Sequence, residues 1–276
     1  MKILITGALR INKEQENELK NKGLDIVYVQ EETRELDIDV SQIEYVICNS
    51  LFMYNDVKKF KSLKGIQVTS AGLDRLPMKY INENNIKLFN ARGVYSIPMA
   101  EWAILKILEI YKHSRDFYNK QERKIWEKDR NILELNNKKV AILGFGSVGK
   151  EIAKRLNAFN TQVTAVDIVE ISNEYIDNYC NILEIEKILP DNDIIISTLP
   201  LTDETIGFID NEKLMLMKDT AIFINLSRGR NCKWKRFNIS IKKRKIFRCG
   251  IRCISDRAFR KRKWIMGTKK RYYNSS

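Results

Sequence analysis

From Met1 to Gly229, short apolar runs alternate with amphipathic stretches. KILITG, DIVYV, YVICNS, IQVTS, VAILGFG, QVTAVD, IIISTLP and AIFINLS read as strands. Several are continuous rather than alternating, the pattern of strands covered on both faces. Helical segments lie between them; NKEQENELKNKG, for example, closes on a glycine. Strand–helix alternation of this kind predicts an α/β fold with parallel sheets and right-handed crossovers. A long helix is expected from near Pro98 through MAEWAILKILEIYKHSRDFYNKQ, with the proline in the first turn, where its missing N–H costs nothing. That helix falls between two strand–helix series. The expected organisation is two α/β domains, 1–97 and 98–229, followed by a basic, poorly ordered tail at 230–276.

Composition changes this picture in one place. The chain of 276 residues has a net charge of +14. Residues 230–276 hold 18 Lys and Arg against one acid, Asp256, whereas residues 1–229 hold 31 against 34 acids. The excess that would suggest a polyanion partner therefore belongs to the tail. Aromatics interleave there (Trp234, Phe237, Phe247, Trp264), but no RNA-binding sheet motif accompanies them, so no specific nucleic acid is expected. Cys48 and Cys180 offer the body no disulfide framework. Cys232, Cys249 and Cys253 lack both a zinc spacing and a nearby His, so no metal is expected. No apolar run is long enough for a membrane span and no signal-peptide pattern opens the chain, which points to the cytoplasm.

The chemistry begins at KKVAILGFGSVGKEIAKRLNAFNTQVTAVDIVE. Gly144, Gly146 and Gly149 form G-x-G-x-x-G between a strand and an amphipathic helix, and a second strand then ends in Asp167. In that context Gly144 permits a tight turn, Gly146 lets backbone approach a pyrophosphate, and Gly149 lets the helix pack closely. The helix-start amides of this loop, across Phe145, Ser147 and Val148, would face phosphates. Asp167 would accept hydrogen bonds from the adenosine ribose and repel a 2′-phosphate. No Arg follows it, which favours NAD over NADP.

These residues, with SAGLDRLPMKYINENNIKLFNARGVYSIPMAEWAI (70–104), STLPLTDETIGFIDNEKLMLMK (197–218) and FINLSRG (223–229), resemble the D-isomer-specific 2-hydroxyacid dehydrogenases. The resemblance implies two doubly wound, Rossmann-like domains, the second incomplete here, of which the first binds substrate and the second binds NAD, with the active site in the cleft. It implies that Ala71, Gly72 and Leu73 contact the substrate carboxylate. It places Thr198, Leu199, Pro200 and Thr205, and Leu226, Ser227 and Arg228, along the cofactor. Arg228 also matches the family's catalytic Arg, which grips the carboxylate of a small 2-hydroxy or 2-keto acid. The family pairs as dimers, so a homodimer is expected.

The family's acid/base is a His supported by a Glu. The sole His here, His113, does not match that position and reads as an ordinary helix residue. After Arg228 the family continues with a helix, an LDVF segment, EP and ITPH, none of which is present. Read one base later, however, FRCGIRCI permits SGVALDVF, RAF permits EPL, and RYYNS permits DIITP. Met266 before Gly is forced to Trp. The tail thus reads as a frame shift close to codon 230. The Glu would fall at Arg257, the His at Ser276, and Arg252 stands where LDVF has its Asp. The sheet is then expected to lose its last strands and expose an edge, and turnover to be absent or very slow. The alternative is a non-catalytic NAD-binding or polyanion-binding protein.

Overall fold

The structure is a computed structural model that describes residues 1–232 and 249–251. The chain divides into two compact units, Met1–Tyr95 and Ser96 onward.

The first unit carries β1 (Lys2–Thr6), α1 (Lys13–Asn21), β2 (Asp25–Val29), β3 (Tyr45–Cys48), β4 (Gly65–Val68), α2 (Met78–Glu83) and β5 (Lys87–Phe89). All pairs are parallel, in the order β2-β1-β3-β4-β5. The order reverses between β1 and β3, as in flavodoxin-like sheets. Leu4, Val46, Cys48, Ile66 and Val68 point to one face and pack on Ile43, Leu51, Phe60 and Ile81. The helix α1 starts where the sequence turns polar. Asn12 caps it by accepting from the Gln15 N–H at 2.8 Å, and the Gln15 side chain accepts from the Asn12 N–H at 2.9 Å.

The second unit carries α3 (Ser96–Tyr111), α4 (Ser114–Glu122), β6 (Lys139–Leu143), α5 (Ser147–Asn157), β7 (Gln162–Asp167), β8 (Asn178–Asn181), α6 (Ile185–Ile188), β9 (Ile194–Ser197), α7 (Asn211–Leu216), β10 (Ile222–Asn225) and β11 (Cys249–Ile251). Its parallel sheet runs β11-β10-β9-β6-β7-β8. Counted from β6 this is 3-2-1-4-5-6 read from the β8 edge, the Rossmann order. Val140 and Ile142 of β6 face α3 and α5 through Ala103, Ile107, Ile152 and Leu156. Ala141 and Leu143 face the other layer through Ile185, Leu189, Leu214 and Met217. Burial on both sides explains why these strands read as unbroken apolar runs. Among the described residues, no helix is long and apolar enough to cross a membrane.

Two expectations change. The single long helix is two helices. His113, at φ +50°, breaks the run between α3 and α4 and is not a helix residue. Nothing in the sequence there is a Gly or Pro, so the break has no local signal; its Nδ1 lies 2.6 Å from Asp129 Oδ2, a contact sixteen residues away. The second sheet does not end at β10. Phe223, Ile224 and Asn225 pair in parallel with Cys249, Gly250 and Ile251, so β10 is no exposed edge there. The buried IFIN strand has a full row of backbone groups to satisfy, and the short CGI run meets part of that need. Finally, the first residues of the tail, 230–232, are tied to the domain. Gly207 N–H donates to Arg230 O at 2.8 Å, Ile209 N–H donates to Asn231 O at 3.1 Å, and Asn231 is fully buried. Apart from β11, the rest of the tail lies outside the described residues.

Candidate functional site

In the second unit, β6 and β9 end side by side where the strand order reverses, the place at which doubly wound sheets receive ligands. Gly144 leaves β6 at φ +87°, a conformation that disfavours any other residue. A side chain there would also meet the Thr198 and Leu199 backbone at 3.1 Å. Thr198 holds the junction from its side: its N–H donates to Leu143 O at 2.8 Å and its hydroxyl to Gly144 O at 2.5 Å. At Gly149 a Cβ would stand 2.6 Å from Gly144 O, so helix and loop touch backbone to backbone. At Gly146 a Cβ would meet nothing within 4 Å. Gly146 is the N-cap of α5 and makes no side-chain cap hydrogen bond to that helix. An uncapped, positively polarised helix start behind an open glycine is a fitting cradle for a pyrophosphate.

Asp167 ends β7 half-buried. Its Oδ2 accepts from the Phe145 N–H at 2.7 Å and its Oδ1 from the Ile168 N–H at 2.8 Å. The carboxylate is thus fixed beside the glycine loop, and each oxygen keeps a second lone pair. Ser147 and Val148 lie partly exposed in the first turn of α5. Phe145, Leu199 and Leu226 turn their side chains into the core. The Ser227 hydroxyl, also buried, pairs with Ser197 at 2.9 Å. These four can offer a ligand only backbone. Pro200 is exposed, and Thr205 donates its hydroxyl to Pro200 O at 2.6 Å, shaping one loop.

Arg228 follows β10, half-buried, on a loop that is pinned at several points. Asn225 Nδ2 donates to Arg228 O at 3.2 Å, and the Arg228 N–H donates to Asn231 Oδ1 at 2.9 Å. Asn231 Nδ2 in turn donates to Pro200 O at 3.0 Å and Thr205 O at 3.2 Å. Asn231 therefore ties the arginine loop to the loop after β9. No pattern along the chain pointed to Asn231, because it sits inside the stretch whose composition departs from the rest.

The first unit carries its own polar edge. Glu32, after β2, is buried at the reversal point of that sheet. It accepts from the Thr6 hydroxyl at 2.6 Å, the Asn49 N–H at 3.0 Å and the Ser50 N–H at 2.6 Å. Beside it, after β4, Ala71 and Gly72 accept from Asn90 Nδ2 at 3.0 Å and the Ser70 hydroxyl at 2.9 Å. The N–H groups of Ala71, Gly72 and Leu73 donate to no acceptor among the described residues. Arg75, from the same loop, donates Nη1 to Asn49 Oδ1 and to Ser50 Oγ. Neither Glu32 nor Arg75 stood out in the sequence. Acids and bases are common on solvated loops, and only the fold shows what these two touch.

Residues 104–266 match the NAD binding domain of the D-isomer specific 2-hydroxyacid dehydrogenases. The chain belongs to that family. The match runs past Gly229, so the resemblance extends further than the quoted motifs, although the LDVF, EP and ITPH residues themselves are absent from the sequence. The matched NAD binding domain is thus the unit that holds the glycine loop. Hydroxypyruvate reductase of Thermotoga maritima is 31% identical over 61% of this chain and 55% of its own length. D-3-phosphoglycerate dehydrogenase of Archaeoglobus fulgidus is 28% identical over 83% of this chain and 44% of its own. The chain spans about half the length of these curated relatives. A D-lactate dehydrogenase from Aquifex aeolicus, solved with NAD and lactic acid, shares the fold with a TM-score of 0.79. Identity there is 21%, over 93% of this chain and 78% of that one.

Proposed function

We propose that this dehydrogenase chain binds NAD at the Gly144–Gly149 loop and acts on a small D-2-hydroxy or 2-keto acid. A dinucleotide held by the Gly144–Gly149 loop and Asp167 would supply the hydride chemistry at C2 of the acid. The chain's own residues supply the rest. The α5 start carries the pyrophosphate, and Asp167 takes the ribose hydroxyls and disfavours a 2′-phosphate. Arg228 and the Ala71, Gly72 and Leu73 amides are assigned to the substrate carboxylate, for which a planar guanidinium and a row of N–H donors suit well. The observation that carries this reading is the uncapped helix behind Gly146, beside a carboxylate fixed on the loop.

Turnover is another matter. Proton transfer at the hydroxyl needs a positioned base, and loss of one costs about 10²–10⁴-fold in rate. The chain has one His, and His113 is engaged by Asp129 in the turn between α3 and α4. We therefore read the chain as impaired, with the frame shift near codon 230 as the cause. A non-catalytic NAD-binding role is the second reading, favoured by that same His. Calorimetry with NADH, followed by NADH oxidation with several 2-keto acids before and after the frame is restored, separates them. Binding in both forms and turnover only in the restored one supports the first. Turnover in neither form favours the second.

Two coarser features belong to the same proposal. Trp126, 98% exposed on a segment with Ile125 and Leu133 also exposed, supports a homodimer, to be checked by sedimentation of Trp126→Ala. Cys48 and Cys180 are free thiols, which supports a cytoplasmic location.

A further inference from the structure

Arg75 is the least explained charge on the first unit. Its guanidinium is partly buried and held along one edge only, through Nη1, by two neutral acceptors, Asn49 Oδ1 and Ser50 Oγ. It makes no ion pair among the described residues. The nearby carboxylate, Glu32, is directed elsewhere. It accepts from Thr6 and from the backbone N–H groups of the same Asn49 and Ser50. Asn49 is fixed further by its Nδ2, which donates to Thr69 Oγ1 at 3.1 Å. The guanidinium is thus oriented by a rigid frame at the carboxyl ends of β3 and β4, while the rest of its fork donates to nothing among the described residues. A fork of this kind is shaped for a carboxylate or phosphate. Two residues before it lie the Ala71–Leu73 amides, which also lack acceptors among the described residues.

We propose that Arg75 is a specificity-determining residue that takes a second oxyanion at the far end of the substrate. The substrate class would then be 2-keto and 2-hydroxy acids carrying two anionic groups, one on the amide row and one on Arg75. This rests on the substrate reading given under the proposed function. A purely framing role is the competing account, since Arg75 also ties the Asn49–Ser50 loop to its own.

The test is calorimetry on the full chain with NADH present, using 2-oxobutyrate, 2-oxoglutarate and 3-phosphohydroxypyruvate as probes. The parent is expected to bind at least one dianion about tenfold or more tightly than 2-oxobutyrate, as charge-assisted hydrogen bonds allow. Which dianion gains tells carboxylate from phosphate. Arg75→Gln should erase that preference while leaving 2-oxobutyrate and NADH affinities unchanged, and Arg75→Lys should restore part of it. A framing role would instead weaken all three acids together, or move only the melting temperature, and would overturn the proposal. So would a parent without preference. Equal binding of all three acids removes Arg75 alone; no binding of any acid, with NADH still bound, removes the substrate reading beneath it.

Discussion

The two sheets end in the same way and are finished differently. In each, the first strand closes on a glycine whose N–H extends the ladder: Gly7 to Val29 O at 2.9 Å, and Gly144 to Val166 O at 2.8 Å. In each, the strand order reverses beside that glycine. In the first unit the reversal point is filled by the chain itself. Glu32 supplies an internal carboxylate, and α1 begins further on with Asn12 already capping it. In the second unit α5 starts at once, with no side-chain cap. Parallel architecture creates a polarised crevice at both edges. In both units a carboxylate at or just past the end of the second strand, Glu32 or Asp167, accepts loop N–H groups, so what differs at the crevice is the helix start, capped by Asn12 in the first and bare behind Gly146 in the second.

The strongest way to break this comparison is to remove the internal anion. Glu32→Ala leaves three donors without their acceptor and should cost roughly 3 kcal/mol in urea unfolding, with NADH affinity unchanged. Parental stability would mean that Glu32 seals nothing. Next is the backbone contact in the second unit. Gly149→Ala drives a methyl toward Gly144 O and should cost roughly 2 kcal/mol while also weakening NADH.

Gly146→Ser sharpens the contrast, because it makes the second unit resemble the first. The hydroxyl can cap α5, so stability should stay level or rise by a few tenths of a kcal/mol. The cradle would be occupied from within, and NADH affinity should fall about tenfold. A variant that binds NADH as the parent does would argue against the uncapped helix as the phosphate site.

The smallest effect concerns pH. Burial alone would raise the Asp193 carboxyl, but hydrogen bonds from the Lys218 ammonium (2.8 Å) and the Lys139 N–H (3.0 Å) outweigh it and hold the group below the usual carboxylate range. Because the folded value is depressed, the contribution is present above the ordinary value of 3.8 and is lost as pH falls below it. Asp193→Asn should cost about 1 kcal/mol near neutrality and nothing at the acid end of that window. A cost independent of pH would assign the effect to packing instead.

Much of this fold was legible in the chain. Eight strands announced themselves as apolar runs; in the central strands of the second sheet, burial on both faces removes the polar alternation. The strands that did not, Lys87–Phe89 and Asn178–Asn181, lie at sheet edges, are three or four residues long and carry exposed or half-exposed side chains. Cys249–Ile251 was hidden by the basic residues around it. The glycine loop was legible because each glycine answers a local backbone demand. Glu32, Arg75 and Asn231 were not, since each acts through partners from about three to thirty residues away that only the folded chain assembles. The turn at His113 belongs with them. Its partner Asp129 lies beyond α4, and no pattern within a helical window encodes that contact.

Calorimetric titration of NADH into the full chain, beside its Gly146→Ser variant, tests the central claim most directly. One saturable site per chain is expected, with an affinity that falls in the variant while the melting temperature holds. Absence of binding in the parent, or equal binding in both proteins, would contradict it.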